Sequence, residues 1–256
     1  MSLELATAAD RKAARIWQSF DQLVLSYATR YAGVAERLLK ADGLRAAEGF
    51  AEGGAVAMVG AIHTGPWLEF LTRLWITVTQ AGGEFTVEDL KPPEPVPEAV
   101  FHRAARAWLE DNGAVHAQGI VDTTQETANR AVLVGVERNE TRQGIAAMIS
   151  ASVRESAPGR AQNIARTETH SAANLGSLEA AEEINPTAYK IWIATPDNRT
   201  RDQHRAAHNQ KVKITEPFIV GGERLMYPGH WSLGGSGWNI YGCRCAMRYI
   251  MQRRAR

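Results

Sequence analysis

Cysteine, long apolar runs and an excess of either charge are all scarce in this sequence. It has two cysteines in 256 residues, and 29 basic residues face 28 acidic ones. Two cysteines exclude a disulfide-rich scaffold, and a nearly neutral chain with few lysines excludes a generic nucleic-acid coat. No stretch reaches the roughly 18 apolar residues of a membrane span, and the N-terminus does not have the pattern of a signal peptide. We therefore expect a soluble protein, made in the cytoplasm, with no membrane partner.

Alanine, by contrast, is abundant and unevenly distributed. Of 40 alanines, 34 precede residue 184, and alanine is the strongest helix former. Apolar residues recur every three or four positions from residue 3 to residue 44, as in amphipathic helices. Further helices are predicted at 67–80, 98–112, 123–136, 140–155 and 161–183, with breaks at 52–66, 82–83 and 158–159.

After residue 184 the pattern changes to strands and turns. Residues 189–194 alternate as a strand does, and 218–220 and 224–227 flank two glycines as in a hairpin. Residues 245–250 are predicted to form a closing strand. The fold class is therefore α+β, with a mostly helical N-terminal part followed by a small α+β unit that carries a short antiparallel sheet.

The prolines suggest a domain boundary. Four of the ten lie between Lys91 and Pro97, and such a run favours stiff, extended geometry. We predict a helical N-terminal region at 1–97 and a second domain at 98–256.

One carboxylate lies on an apolar helix face. Glu168 shares helical spacing with Ala161, Ile164, Ala172 and Leu175, and a buried carboxylate needs a cation or several donors. Arg199 and Arg201 follow a proline turn that could direct them at Glu168. We predict a structural ion-pair cluster, and a catalytic role for Glu168 is the alternative. The cluster comprises Arg166, Glu168, Asp197, Arg199 and Arg201.

Two histidines and two cysteines form a candidate metal site. His204 and His208 stand four residues apart, and Cys243 and Cys245 are separated by one residue. These are zinc ligand types, and a turn at Gly242 could bring both thiolates to one ion. The alternatives are a solvated histidine pair and two small buried cysteines.

The C-terminus carries a dense positive charge. Arg248, Arg253, Arg254 and Arg256 are candidates for contact with DNA phosphates. The alternative is a solvated tail.

The order of these motifs resembles a known family, the phage Mu F-like minor head proteins, also called the phage head morphogenesis family. The resemblance runs from about Thr123 to Tyr249. Its motifs are ARTE, a W-x-A-T-x-D-x-R-T-R-x-x-H segment, Pro-Gly and Cys-Arg-Cys. The matching residues are Arg166, Thr167, Glu168, Trp192, Asp197, Arg199, Arg201, His204, Pro228, Gly229, Cys243, Arg244 and Cys245.

The resemblance implies a non-enzymatic virion protein, present in few copies inside the head near the portal. It implies a role in head assembly, DNA packaging or DNA delivery, with the portal protein, the major capsid protein and packaged double-stranded DNA as partners. Residues 1–97, which carry no family motif, are then the candidate portal-binding part. The chain departs from the family at His208, where an acidic residue is usual, and at Gly242, where asparagine is common. Asn209 replaces a glycine and can take the same left-handed turn.

Two enzymatic functions are the alternatives. A metal-dependent nuclease of the His-Asn-His type would use His204, His208, His230 and Asn239, with a metal polarising the phosphate. An ADP-ribosyltransferase-like enzyme would use one buried glutamate and the arginines beside a small α+β unit. The sequence has no nucleophile with a base beside it and no glycine-rich phosphate loop, which favours the structural role.

Overall fold

The computed structural model describes residues 8–231, 233 and 235–251. The alanine-rich part is helical, as its composition predicts. A single π-helical turn, Leu109–Gly113, joins the third helix to the fourth. The long helices are α1 (Ala8–Gly60), α2 (Gly65–Leu90), α3 (Glu98–Trp108), α4 (Ala114–Glu137) and α5 (Arg142–Ile184).

The predicted helix breaks at 82–83 and 158–159 are wrong. Helix α2 continues through Gly82 because that glycine serves packing: a Cβ there would lie 2.1 Å from the carbonyl oxygen of Ala173. Helix α5 continues through Pro158, although an internal proline removes one helical hydrogen bond and costs about 3 kcal/mol. Ala157 and Ala161, on either side of it, are fully buried, so this part of the helix is held by packing. The predicted break at 52–66 is reduced to a kink at Gly54, where φ is 74°, and a short connection before α2.

The C-terminal part is the predicted small α+β unit. Its strands are β1 (Tyr189–Ile193), β2 (Lys211–Lys213), β3 (Phe218–Val220), β4 (Glu223–Leu225) and β5 (Ala246–Ile250), and its short helices are α6 (Asp202–Ala206) and α7 (Gly237–Ile240). Strand β1 lies between β2 and β5 in an antiparallel sheet, and β3 and β4 form the expected hairpin. Of these strands, β2 was not predicted, because its three residues, unlike the equally short β3 and β4, do not flank a glycine pair that indicates a hairpin.

The chain divides into two compact units that are discontinuous in sequence. The first consists of the described residues up to Tyr27, Trp75–Ala107 and those from Arg166 onward, and the second of Ala28–Leu74 and Trp108–Ala165. The proline-rich segment connects α2 and α3 inside the first unit. A functional boundary at residue 97 stays a prediction.

The core of the first unit is built around the second half of α5. Nearly every residue from 165 to 178 is buried, polar ones included. A Cβ on Gly176 would lie 1.8 Å from the carbonyl oxygen of Thr79, so α2 and α5 meet backbone to backbone. Among the described helices, none has both the length and the apolar composition to cross a lipid bilayer.

Candidate functional site

Three of the four predicted metal ligands lie together. Helix α6 carries His204, and Cys243 and Cys245 lie in the segment that leads into β5. His204 Nδ1 lies 3.4 Å from Cys245 Sγ and 3.6 Å from Cys243 Sγ. The three ligand atoms all lie within 4.8 Å of one another, and all three side chains are buried. Gly242 supplies the expected turn, with φ at 64°.

His208 does not join this cluster. Helix α6 ends at Ala206, so His208 lies beyond the helix and not on the face of His204. Its Nδ1 accepts a hydrogen bond from the backbone N–H of Ala194 at 3.1 Å. Asn209 takes the left-handed turn expected of it, with φ at 66°. The four-ligand site predicted from sequence is therefore reduced to three protein ligands.

Asn239, on α7, fixes the orientation of the His204 ring. Its Nδ2 donates to Val220 O at 3.1 Å and to Glu223 Oε2 at 2.7 Å. The amide oxygen must therefore face the ring, and it lies 3.2 Å from His204 Nε2. Nε2 carries the hydrogen that this oxygen accepts, and in the tautomer with its hydrogen on Nε2 the lone pair of Nδ1 faces the sulfurs.

The surroundings of the cluster are apolar and tightly packed. The Trp192 ring meets the His204 ring edge to face, with centroids 5.7 Å apart. Burial raises the pKa of the Cys243 thiol well above its usual value, because a thiolate without a partner is poorly solvated there. In the absence of a cation, Cys243 is therefore a neutral thiol.

Asp197 and Arg244 form the ion pair of this region. Arg244 donates from Nη1 and Nη2 to the two carboxylate oxygens at 2.5 and 2.8 Å, a forked arrangement. Asp197 Oδ1 also accepts from the Arg199 backbone N–H and from the Thr200 hydroxyl. These donors, the Arg244 guanidinium first, hold the pKa of Asp197 well below its usual range. The pair anchors the loop after β1 to the residue between the two cysteines.

Glu168 is buried, as its helix face predicts, and its pairing with Arg199 or Arg201 stays a prediction. Its Oε2 accepts a hydrogen bond from Trp75 Nε1 at 2.9 Å. The guanidinium of Arg201 donates to Tyr241 O and lies over the Trp238 ring.

Of the other two arginines of the predicted cluster, one pairs inside it and one outside it. Arg199 Nη2 lies 3.6 Å from the carboxylate of Asp197, a member of the cluster, whereas Arg166 Nη2 lies 3.0 Å from the carboxylate of Asp21. Asp21 lies 145 residues from its partner, and a separation of that size gives no signal in the sequence.

Helix α5 holds the motif segments together through residues that the sequence analysis missed. His170 Nε2 donates to Cys245 O at 2.7 Å, and Ser171 Oγ donates to Gly229 O at 2.6 Å. Burial lowers the pKa of His170 to about 4, so the ring is neutral near pH 7. The available signal was the unbroken polar run from Thr167 to Ser171 within an alanine-rich helix.

The DNA-contact candidates are only partly described. Arg248 lies in β5 opposite Ile191 and is half-buried. Arg253, Arg254 and Arg256 lie outside the described residues. Contact with DNA stays a prediction.

Comparisons with known proteins agree with the motif pattern. Residues 124–248 match the family model described as Phage Mu protein F like protein. The chain is 33% identical to "Minor head protein GP7" of Bacillus phage SPP1 over 36% of this chain and 30% of that protein. It is 27% identical to "NAD(+)--arginine ADP-ribosyltransferase EFV" of Enterococcus faecalis (strain ATCC 700802 / V583), over 48% of this chain and 25% of that protein.

The chain therefore spans less than a third of the length of the curated relatives it matches. No solved structure matches it. The matched range contains all of α5, strands β1 to β4, the start of β5, and the buried histidine and cysteine cluster. Residues 124–248 of the chain therefore carry a domain similar to the Phage Mu protein F like family.

Proposed function

We propose that this protein is a minor head protein of a tailed bacteriophage or of a prophage-derived particle. The observation that carries the proposal is the family match over residues 124–248, together with the similarity to a minor head protein. In the proposed role the protein lies inside the head near the portal and acts in head assembly, DNA packaging or DNA delivery. Its partners are the portal protein, the major capsid protein and packaged double-stranded DNA.

The contacts of the motif residues, and of two residues that follow the ARTE motif on α5, support a structural role. Arg244 and Asp197 pair with each other, Glu168 accepts from a buried tryptophan, and His170 and Ser171 bond to backbone carbonyls. Each contact connects one segment of the domain to another. Together these contacts stabilise the domain, as a structural role in an assembly requires.

The test is to locate the chain in purified particles. An epitope-tagged copy should complement deletion of the gene and copurify with DNase-treated heads. Asymmetric reconstruction around the portal vertex should then show its density on the inner side of the head. Absence from purified heads, with unchanged particle yield in the deletion strain, would contradict the proposal.

An arginine ADP-ribosyltransferase is the second candidate, because one relative with that name matches 48% of this chain. The match covers only a quarter of that relative, so most of the relative lies outside it. We expect the purified chain to release no nicotinamide from NAD⁺ and to leave an arginine-rich acceptor protein unmodified. Transfer of ADP-ribose that depends on Glu168 would replace the structural proposal with an enzymatic one.

A further inference from the structure

We propose that His204, Cys243 and Cys245 bind one zinc ion, and that Asn239 positions the His204 ring for it. This inference is independent of the role in the head, since it concerns the chemistry of one buried cluster. Two elements distant in sequence supply the ligands, α6 and the segment before β5.

The distances in the cluster are those of a tetrahedral zinc site. With Zn–S at about 2.3 Å and Zn–N at about 2.05 Å, tetrahedral angles place a ligand nitrogen and a ligand sulfur about 3.5 Å apart. The observed separations from His204 Nδ1 are 3.4 Å to Cys245 Sγ and 3.6 Å to Cys243 Sγ. The imidazole nitrogen is therefore already spaced from each sulfur as two ligands of one zinc ion are.

The hydrogen bonds around the ring direct the correct nitrogen at the sulfurs. Asn239 Oδ1 accepts from Nε2, and the amide cannot be flipped because its Nδ2 donates to Val220 O and Glu223 Oε2. Nδ1 therefore offers a lone pair. Histidine ligands of zinc commonly donate their other ring N–H to such an oxygen acceptor, which fixes the tautomer.

The chemistry of the three ligands selects the metal. Two thiolates and one imidazole select zinc over magnesium or calcium, which prefer oxygen ligands.

Three protein ligands leave the fourth tetrahedral position to a water molecule or an external ligand. His208 does not fill it, since its ring accepts from Ala194. Because all three ligands are buried, the ion would act as a cross-link between α6 and the segment before β5. The free energy of zinc binding would then contribute to the stability of the fold.

The experiment uses the full chain, purified with a reductant and without a metal-affinity column. Elemental analysis should find about one zinc per chain, and removal by a chelator should lower the melting temperature. Cobalt added to the chelator-treated protein should give thiolate-to-cobalt charge-transfer absorption and the visible bands of a tetrahedral ion. Cys243→Ser, Cys245→Ser and His204→Gln should lose the metal, whereas the matched control His208→Gln should keep it.

Asn239→Ala tests the positioning role separately. It should still bind one zinc at saturation, but with an affinity about 10–100-fold weaker. Wild-type protein that is folded and reduced yet binds neither zinc nor cobalt would overturn the proposal, as would a melting curve unaffected by the chelator. Because these two measurements use the wild-type chain, they decide the matter even if a cysteine variant does not fold.

Discussion

In the loop after β1, the carboxylate of Asp197 accepts four hydrogen bonds. Its two oxygens accept from Arg244, from the backbone of Arg199 and from Thr200. All of these donors favour the ionised carboxylate, so its pKa in the folded protein is lower than in the unfolded chain. The stability that Asp197 contributes is present above its unfolded pKa of about 3.9 and is lost as the pH falls through the lower folded pKa.

We therefore predict that Asp197→Asn weakens the acid dependence of folding. The free energy of unfolding of the wild type should fall as the pH drops below about 4, and that of the variant should fall less steeply. Urea denaturation across this pH range, with EDTA present to exclude any metal effect, measures the difference. Asp202→Asn is the matched control, because that carboxylate is almost fully exposed and pairs with Arg205 at 3.4 Å. Equal acid dependence of the unfolding free energy in the wild type and in Asp197→Asn would contradict the contribution assigned to the Asp197 carboxylate.

The hydrogen bond from Trp75 to Glu168 gives a second prediction. Trp75→Phe keeps most of the ring but removes the donor at 2.9 Å, and a hydrogen bond to a charged group is worth about 1.5–3 kcal/mol. Trp192→Phe is the control, since that indole is equally buried and its Nε1 has no acceptor among the described residues.

Chemical denaturation should show Trp75→Phe to be the more destabilising of the two changes. A double-mutant cycle with Glu168→Gln isolates the energy of the pair itself. A coupling energy near zero would show that the bond contributes nothing to stability.

At the scale of elements, the two halves of α5 differ in how many of their side chains are buried. Its first half alternates buried and exposed positions, while the half that carries the motifs is buried nearly all round. A helix buried in this way must satisfy its polar side chains inside the protein. Glu168, His170 and Ser171 do so through hydrogen bonds to other segments, and α5 therefore organises the domain.

Two glycines of α5 should respond oppositely to alanine. At Gly176 a Cβ would collide with the carbonyl oxygen of Thr79, so Gly176→Ala should destabilise by about 1–3 kcal/mol or more. At Gly159 a Cβ meets nothing within 4 Å, so Gly159→Ala should stabilise by roughly 0.5–1 kcal/mol through helix propensity. Denaturant unfolding of both variants is the measurement, and a shared sign would be inconsistent with the packing of α2 on α5.

At the scale of the whole molecule, the chain is nearly neutral and its terminal arginines are its densest positive charge. If they contact DNA, deletion of residues 252–256 should weaken retention on DNA at low salt. The slope of log affinity against log salt should become shallower by roughly 0.9 for each phosphate that the shortened chain no longer neutralises. A full-length variant with Arg253, Arg254 and Arg256 changed to glutamine controls for chain length. Unchanged retention on DNA in both variants would show that these arginines do not contribute to DNA binding.

The sequence by itself determined what depends on neighbours along the chain. Alanine content predicted the helices, alternation and paired glycines predicted β1 and the β3–β4 hairpin, and helical spacing predicted the burial of Glu168. The turn at Gly242 was likewise predictable, since local backbone freedom is a property of the residue. These features follow from short-range periodicity and conformational preference.

The tertiary structure alone decided which distant groups meet. Glu168 bonds to a tryptophan 93 residues away, and no spacing rule favours that partner over a nearby arginine. His204, and not His208, faces the cysteines because α6 ends at Ala206 and the helical face does not reach further. At Gly82 the backbone of Ala173 occupies the space that a side chain would need, so this glycine allows close helix packing and does not end the helix. At Glu168 and Gly82 the deciding contact is made by residues far apart in sequence, and only the packed fold brings them together.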